Sequence, residues 1–262
     1  MFSLGIFKKR NKHYFSGNYD SWVYALRDAS SYDSACIFEK CLESSRQVLN
    51  GGALFARDGV AFKKPQYPWP LLASILSISS AQKGNIRIVD FGGGFGGTYF
   101  QCKPYLDKIP SLQWAVVEQP HFVDSGNSEF ANESLHFFHD LGVAVSHTSA
   151  NTILLSSVLP YLEDPSSAIQ SILKYPWDYI IIDKTSFILG ENTHRLTIQN
   201  VPASIFPVKL PAWFFNEEQF LLNFTQKYQV VSEWNSPDKI PLKGGRSIFK
   251  GFFFQNLSNA KI

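Results

Sequence analysis

The pattern of apolar and polar positions changes character near residue 84. Before that point apolar residues recur at helical spacing. Phe38, Cys41, Leu42, Ser45 and Leu49 share one face, with Asp33 as the cap before them and Gly51-Gly52 as the stop. Asp20 stands as cap of a shorter helix that runs to Ala29. Pro70 sits at a favoured first-turn position, and Leu71, Leu72, Ile75, Leu76 and Ile78 give that helix a broad apolar face ending at Gly84. Residues 53–67 fit no period and read as irregular. Residues 1–84 are therefore expected to form a helical appendage.

From Asn85 onward, short apolar runs alternate with helical stretches, the signature of an α/β domain spanning 85–262. Strands are expected at 86–90, 112–118, 135–138, 152–156, 179–183, 229–234 and 248–255. Asp164-Pro165 opens a helix to Leu173, and Asn216 with Gln219 has the spacing of a capping box. Residues 185–215 form a long segment without a period, interrupted by Pro202, Pro207 and Pro211. The last two strands are joined by a Pro- and Gly-containing loop with no helix between them. A parallel crossover needs a dozen or more residues, usually helical, so an antiparallel return is expected. The fold class is a Rossmann-like sheet of seven strands, mostly parallel with an antiparallel last strand, plus the N-terminal helical appendage.

The chemistry centres on the stretch after the first of these strands. Asp90 interrupts the apolar run Ile86, Ile88, Val89, and five glycines follow at 92, 93, 94, 96 and 97. A glycine cluster after a strand lets the chain turn sharply and lets a ligand approach the backbone. Two registers are present. Gly92, Gly94 and Gly97 match the dinucleotide fingerprint, which seats a pyrophosphate on a helix N-terminus. Gly92, Gly94 and Gly96 match the tighter motif of class I methyltransferases, whose ligand S-adenosylmethionine (SAM) carries an ammonium and no phosphate. Asp90 suits the ammonium. Glu118, at the end of the second strand, suits ribose hydroxyls in either ligand.

Other residues are weaker candidates. Asp140, after the third strand, is placed to reach an adenine, or to cap a helix. Asp183, at the end of the fifth strand, is a candidate general base, or a strand-end carboxylate bonded to the next loop. Tyr161 and Arg195 are candidates for binding the acceptor, Arg195 through an anionic group. His136 and His139 lack the further ligands a metal site needs, so no metal is expected.

Composition narrows the class further. The 262 residues are 45% hydrophobic and 15% aromatic, enough for a sizeable core. The net charge of +2 comes with no basic stripe, which argues against nucleic acid. Three cysteines without a C-x-x-C favour a reducing cytoplasm. No stretch reaches the ~20 apolar residues of a spanning helix. Residues 1–12, apolar then basic, read as a partly packed terminus, with a weak surface anchor as the alternative.

The ordered set of segments resembles a known family. Val89-Asp90-Phe91-Gly92-Gly93-Gly94, then Val117-Glu118-Gln119-Pro120, then Leu155-Ser156-Ser157-Val158-Leu159-Pro160-Tyr161-Leu162-Glu163-Asp164-Pro165 are similar to a bacterial family of class I SAM-dependent methyltransferases associated with surface-polysaccharide biosynthesis. The likeness extends through Ser31-Tyr32-Asp33, Ala56-Arg57-Asp58, Asp183-Lys184-Thr185 and Pro211-Ala212-Trp213. Lys184 stands where the family has Arg, and Pro160 where a polar residue is usual. The resemblance implies SAM as cofactor, held by Asp90, the Gly92–Gly96 loop and Glu118, and a glycan or small-molecule acceptor. The alternatives are an NAD(P)-dependent oxidoreductase and a non-catalytic binding protein retaining the fold.

Overall fold

The computed structural model describes residues 14–29, 35–202, 205 and 207–259. The expected cap Asp33, the Ser31-Tyr32-Asp33 segment and residues 1–12 lie outside them. The chain begins with β1 (Tyr14–Tyr19), α1 (Trp22–Leu26), α2 (Ala35–Leu49), the hairpin β2 (Phe55–Arg57) and β3 (Val60–Phe62), and α3 (Trp69–Ala81). It continues through β4 (Asn85–Phe91), α4 (Gly97–Leu106), β5 (Ser111–Val117), α5 (Pro120–Glu129), β6 (Leu135–Phe138), α6 (Leu141–Thr148) and β7 (Thr152–Ser156). A short 3-10 turn, Leu159–Tyr161, precedes α7 (Pro165–Ile172) and β8 (Tyr179–Leu189). The end comprises β9 (Arg195–Asn200), β10 (Lys209–Phe214), α8 (Glu217–Leu221), β11 (Tyr228–Asn235) and β12 (Arg246–Asn256).

The main sheet has seven strands in the order β11-β12-β8-β7-β4-β5-β6. The pairs from β8 to β6 are parallel, and β12 runs antiparallel to both β8 and β11. The expected architecture is thus present. Period-two alternation divides the sheet between two cores. Ile86, Ile88, Trp114, Leu154 and Ile181 face α3, while Val89, Ala115, Ile153, Ile180 and Phe252 face the side of α6, α7 and α8. Asp90 shares the alternation of Ile86 and Ile88 and so points into the first core. The strand order reverses between β4 and β7, and a ligand crevice opens at the carboxyl ends of strands at such a point.

The sequence expectations differ from the structure in three places. Residues 14–84 are not all helical, since β1 and the β2–β3 hairpin accompany the helices. Segment 185–215 is not a loop. It completes β8 and supplies β9 and β10, which join β1 in an antiparallel sheet of order β1-β9-β10. Pro211 obscured β10, yet β10 is an edge strand, where a missing N–H is tolerated. Finally, β8 runs past Asp183 to Leu189 because β12 pairs along its whole length.

Smaller differences lie at helix ends. Ser21, not Asp20, caps α1 by accepting from the Tyr24 N–H. Asp164 caps α7 as expected, accepting from the Ser167 N–H. Asn216 caps α8 through the Gln219 N–H, but the Gln219 side chain donates to the Asn192 carbonyl instead of closing a capping box.

Candidate cofactor and acceptor site

The glycine loop follows β4 directly. Gly92, Gly94 and Gly96 have φ of +75°, +56° and +77°, conformations that strain any residue with a Cβ. Gly93 is required for a different reason, because a Cβ there would stand 2.6 Å from the Asp90 carboxyl. Gly97 meets the N-terminal hairpin, and its Cβ would lie 2.8 Å from the Ala56 carbonyl oxygen. The hairpin backbone thus packs closely against the first turn of α4.

Asp90 is 1% exposed, and among the described residues its side chain has a single hydrogen-bond partner, the Trp114 indole, which donates at 3.1 Å. Burial pushes its carboxyl up to about 7, against a smaller downward pull from the indole. Asp90 lines a cavity of about 120 Å³, together with Gly92, Gly93, Gly94 and Ser44 and Ser45 of α2. An ammonium group brought here would meet a carboxylate with acceptor capacity to spare and backbone groups bare of side chains.

A second cavity of about 520 Å³ adjoins the first. On one side it is lined by Glu118, Phe91, Pro120 and His139, and on the other by Tyr161, Gln199, Leu210, Asp238 and Phe249. Burial raises Glu118 to about 7, opposed by the Gln119 N–H and reinforced by the charge of Asp90. Tyr161 is held protonated, raised by burial and by the charges of Asp58 and Asp238, and its hydroxyl is hydrogen-bonded with Gln199. Gln199 belongs to β9, so the small sheet roofs the larger cavity.

The expected site residues fall into two groups. Asp90, Gly92, Gly94, Glu118 and Tyr161 all line the cavities, and Gly96 forms the adjoining turn. Asp140, Asp183 and Arg195 do not reach them. Asp140 caps α6, its carboxylate accepting from the Val143 N–H at 2.9 Å. Arg195 donates to the carbonyls of Gly17, Lys243 and Gly244 and to Glu191, so its guanidinium ties together the chain around the small sheet. Asp183 is 3% exposed and accepts from the Trp234 indole at 2.9 Å.

Residues that the sequence reading passed over stand at the site instead. Between Thr185 and Ile182 of β8, the pair Asp183 and Lys184 opposes the single residue Gly251 of β12. This bulge, with Lys184 at φ +50°, turns Lys184 toward both cavities and leaves Asp183 against Trp234. Nothing in the local sequence announces the bulge. Asp58 was legible. Asp58-Gly59 between Phe55-Ala56 and Val60-Ala61-Phe62 is a two-residue hairpin signal.

No protein-family model and no curated protein matches the sequence. Solved structures do. The N-terminal domain of EvdMO1 with SAH bound is similar over 82% of this chain and 95% of that one, with a TM-score of 0.50 and 10% identity. LepI in complex with SAM is similar over 74% of this chain at a TM-score of 0.48 and 15% identity, and the match spans 49% of LepI, about half its length. Magnesium protoporphyrin IX methyltransferase from Synechocystis PCC 6803 with bound SAM covers 70% of this chain and 78% of its own, with a TM-score of 0.43 and 10% identity. The chain has the class I methyltransferase fold. Within that fold the glycine loop and the ends of β5, β7 and β8 converge on one crevice. Among the described residues no helix is long and apolar enough to cross a membrane.

Proposed function

We propose that the protein transfers a methyl group from SAM to a hydroxyl of a sugar or sugar-linked small molecule. One observation carries the reading. Asp90 is a carboxylate buried under a bare glycine loop, with one neutral partner among the described residues and an adjoining cavity. Such a group is unfavourable in the folded protein unless a cation joins it. The ammonium of SAM supplies that cation, and Glu118 lies along the second cavity where ribose hydroxyls would follow. When bound, SAM supplies an electrophilic methyl group. The chain aligns donor and acceptor and excludes water, and much of the acceleration comes from that alignment.

The dinucleotide reading rested on Gly97 as its third glycine. Contact with the Ala56 carbonyl accounts for Gly97 without any phosphate. In our reading residues 85–262 form the catalytic domain and residues 1–84 its cover. The acceptor side combines the hydrogen-bonding groups Tyr161, Gln199, Asp238 and Lys184 with the apolar faces of Leu210 and Phe249. That mixture suits the polar edges and apolar faces of a sugar ring. The free cysteines Cys36, Cys41 and Cys102 agree with a reducing cytoplasm.

The test is transfer from SAM to a panel of free and nucleotide-linked monosaccharides, followed by mass spectrometry. We expect at least one sugar to gain a methyl group in step with release of S-adenosylhomocysteine (SAH). Methylation of catechols or amines with every sugar untouched would contradict the sugar assignment.

A further inference from the structure

Methyl transfer to a hydroxyl requires a group that accepts the hydroxyl proton. The two cavities meet at a shared set of residues: Arg57, Asp58, Gly92, Ser156, Ser157 and Lys184. If Asp90 holds the ammonium in the first cavity and Glu118 the ribose in the second, the sulfonium falls at this junction. Asp58 is the one carboxylate among the shared residues. It makes no hydrogen bond or ion pair with the described residues, whereas the carboxylate of Asp183 is already bonded to Trp234.

The hairpin holds Asp58 firmly. Asp58 and Gly59 have φ of +51° and +70°, the left-handed pair of a tight two-residue turn. Phe55 and Phe62 stack below it with centroids 4.7 Å apart and planes 3° apart, and the Arg57 guanidinium lies 5.3 Å over the Phe62 ring. The Gly59 N–H bonds to Cys41 of α2. After burial, the charge of Asp58 is the next strongest influence on both Cys41 and Tyr161, which places its carboxylate between α2 and the acceptor cavity.

We propose that Asp58 faces the transferred methyl group and is the proton acceptor for the acceptor hydroxyl, supplied to the catalytic domain by the N-terminal hairpin. This rests on the methyl-transfer reading above. An Asp58 carboxylate oxygen takes the hydroxyl proton as the acceptor oxygen forms its bond to the methyl carbon. The electron pair of the broken S–C bond stays on sulfur, which leaves as a neutral thioether. A positioned base of this kind contributes on the order of 100-fold or more in rate.

SAM carries a sulfonium charge and SAH does not, so their affinity ratio reads the carboxylates facing the sulfur. Calorimetry would compare the native protein with Asp58→Asn and Asp183→Asn. Asn tolerates the left-handed turn, which keeps the hairpin intact. We expect Asp58→Asn to weaken SAM about five-fold while SAH is unchanged, the interaction being partly screened by solvent. Asp183→Asn should leave the ratio as it is. If Asp58→Asn weakens both ligands equally, or neither, the assignment of Asp58 is overturned while the methyl-donor reading stands. If the native protein binds neither ligand, that reading fails first and Asp58's role falls with it.

Discussion

Asp90 is an almost wholly buried carboxyl, and this has opposite consequences for stability and for binding. It titrates near 7 in the folded chain, up from 3.8. Between those values the folded state holds a proton that the unfolded state has lost. The stability of the ligand-free protein is therefore full at about pH 4 and falls as pH rises through about 7, by up to roughly 4 kcal/mol from this group. Glu118, also raised to about 7, adds in the same direction. Asp90→Asn removes the titration and still offers an oxygen to the Trp114 indole. At about pH 8 the ligand-free variant should melt at a higher temperature than the native protein, with the gap closing toward about pH 4. Its affinity for SAM should fall by about tenfold or more, since a charge-assisted bond is lost. Thermal melts across pH, paired with calorimetry, would check both halves. A variant that melts lower at every pH would mean that the carboxylate is already paired. At this scale the sequence was informative where position at the end of a strand decides which side chains line the crevice, as for Asp90 and Glu118. It misplaced Arg195, whose backbone partners Gly17, Lys243 and Gly244 are brought close only by folding, whereas for Asp140 it left a helix cap open beside the adenine contact, and the cap is what forms.

The contact of the β2–β3 hairpin with α4 joins the N-terminal segment to the glycine loop. Gly97→Ala would press a methyl group onto the Ala56 carbonyl. Alanine gains about 1 kcal/mol in helix propensity over glycine, but overpacking against a rigid backbone costs about 1–3 kcal/mol. We expect a net loss of about 1 kcal/mol in denaturant unfolding, with a several-fold weaker affinity for SAM as the hairpin lifts from the loop. Unchanged stability and affinity would show that the hairpin yields freely and does not shape the site. Elements with strong local signals were legible, including all seven strands of the main sheet and the cap of α7. The small β1-β9-β10 sheet was not. Its residues pair across long separations, such as Phe15 with Gln199, and its buried face is completed by Ile188 and Phe249 of other strands. No local period records such a partnership.

Across the whole molecule, the reversed β12 and the strand order around β4 fix where the crevice opens, and the N-terminal hairpin and small sheet close over it. The antiparallel end was readable from a loop too short for a crossover. The roof over the acceptor was not, because it is assembled from the start, middle and end of the chain. The reading of the site as a methyl-donor site stands on Asp90 as a partner for a cation and on Gly97 as a packing residue. Calorimetry of the purified protein with SAM, SAH and NAD tests both together. Saturable binding of SAM and SAH with no response to NAD is the expected result. Tight NAD binding with no response to SAM or SAH would contradict it.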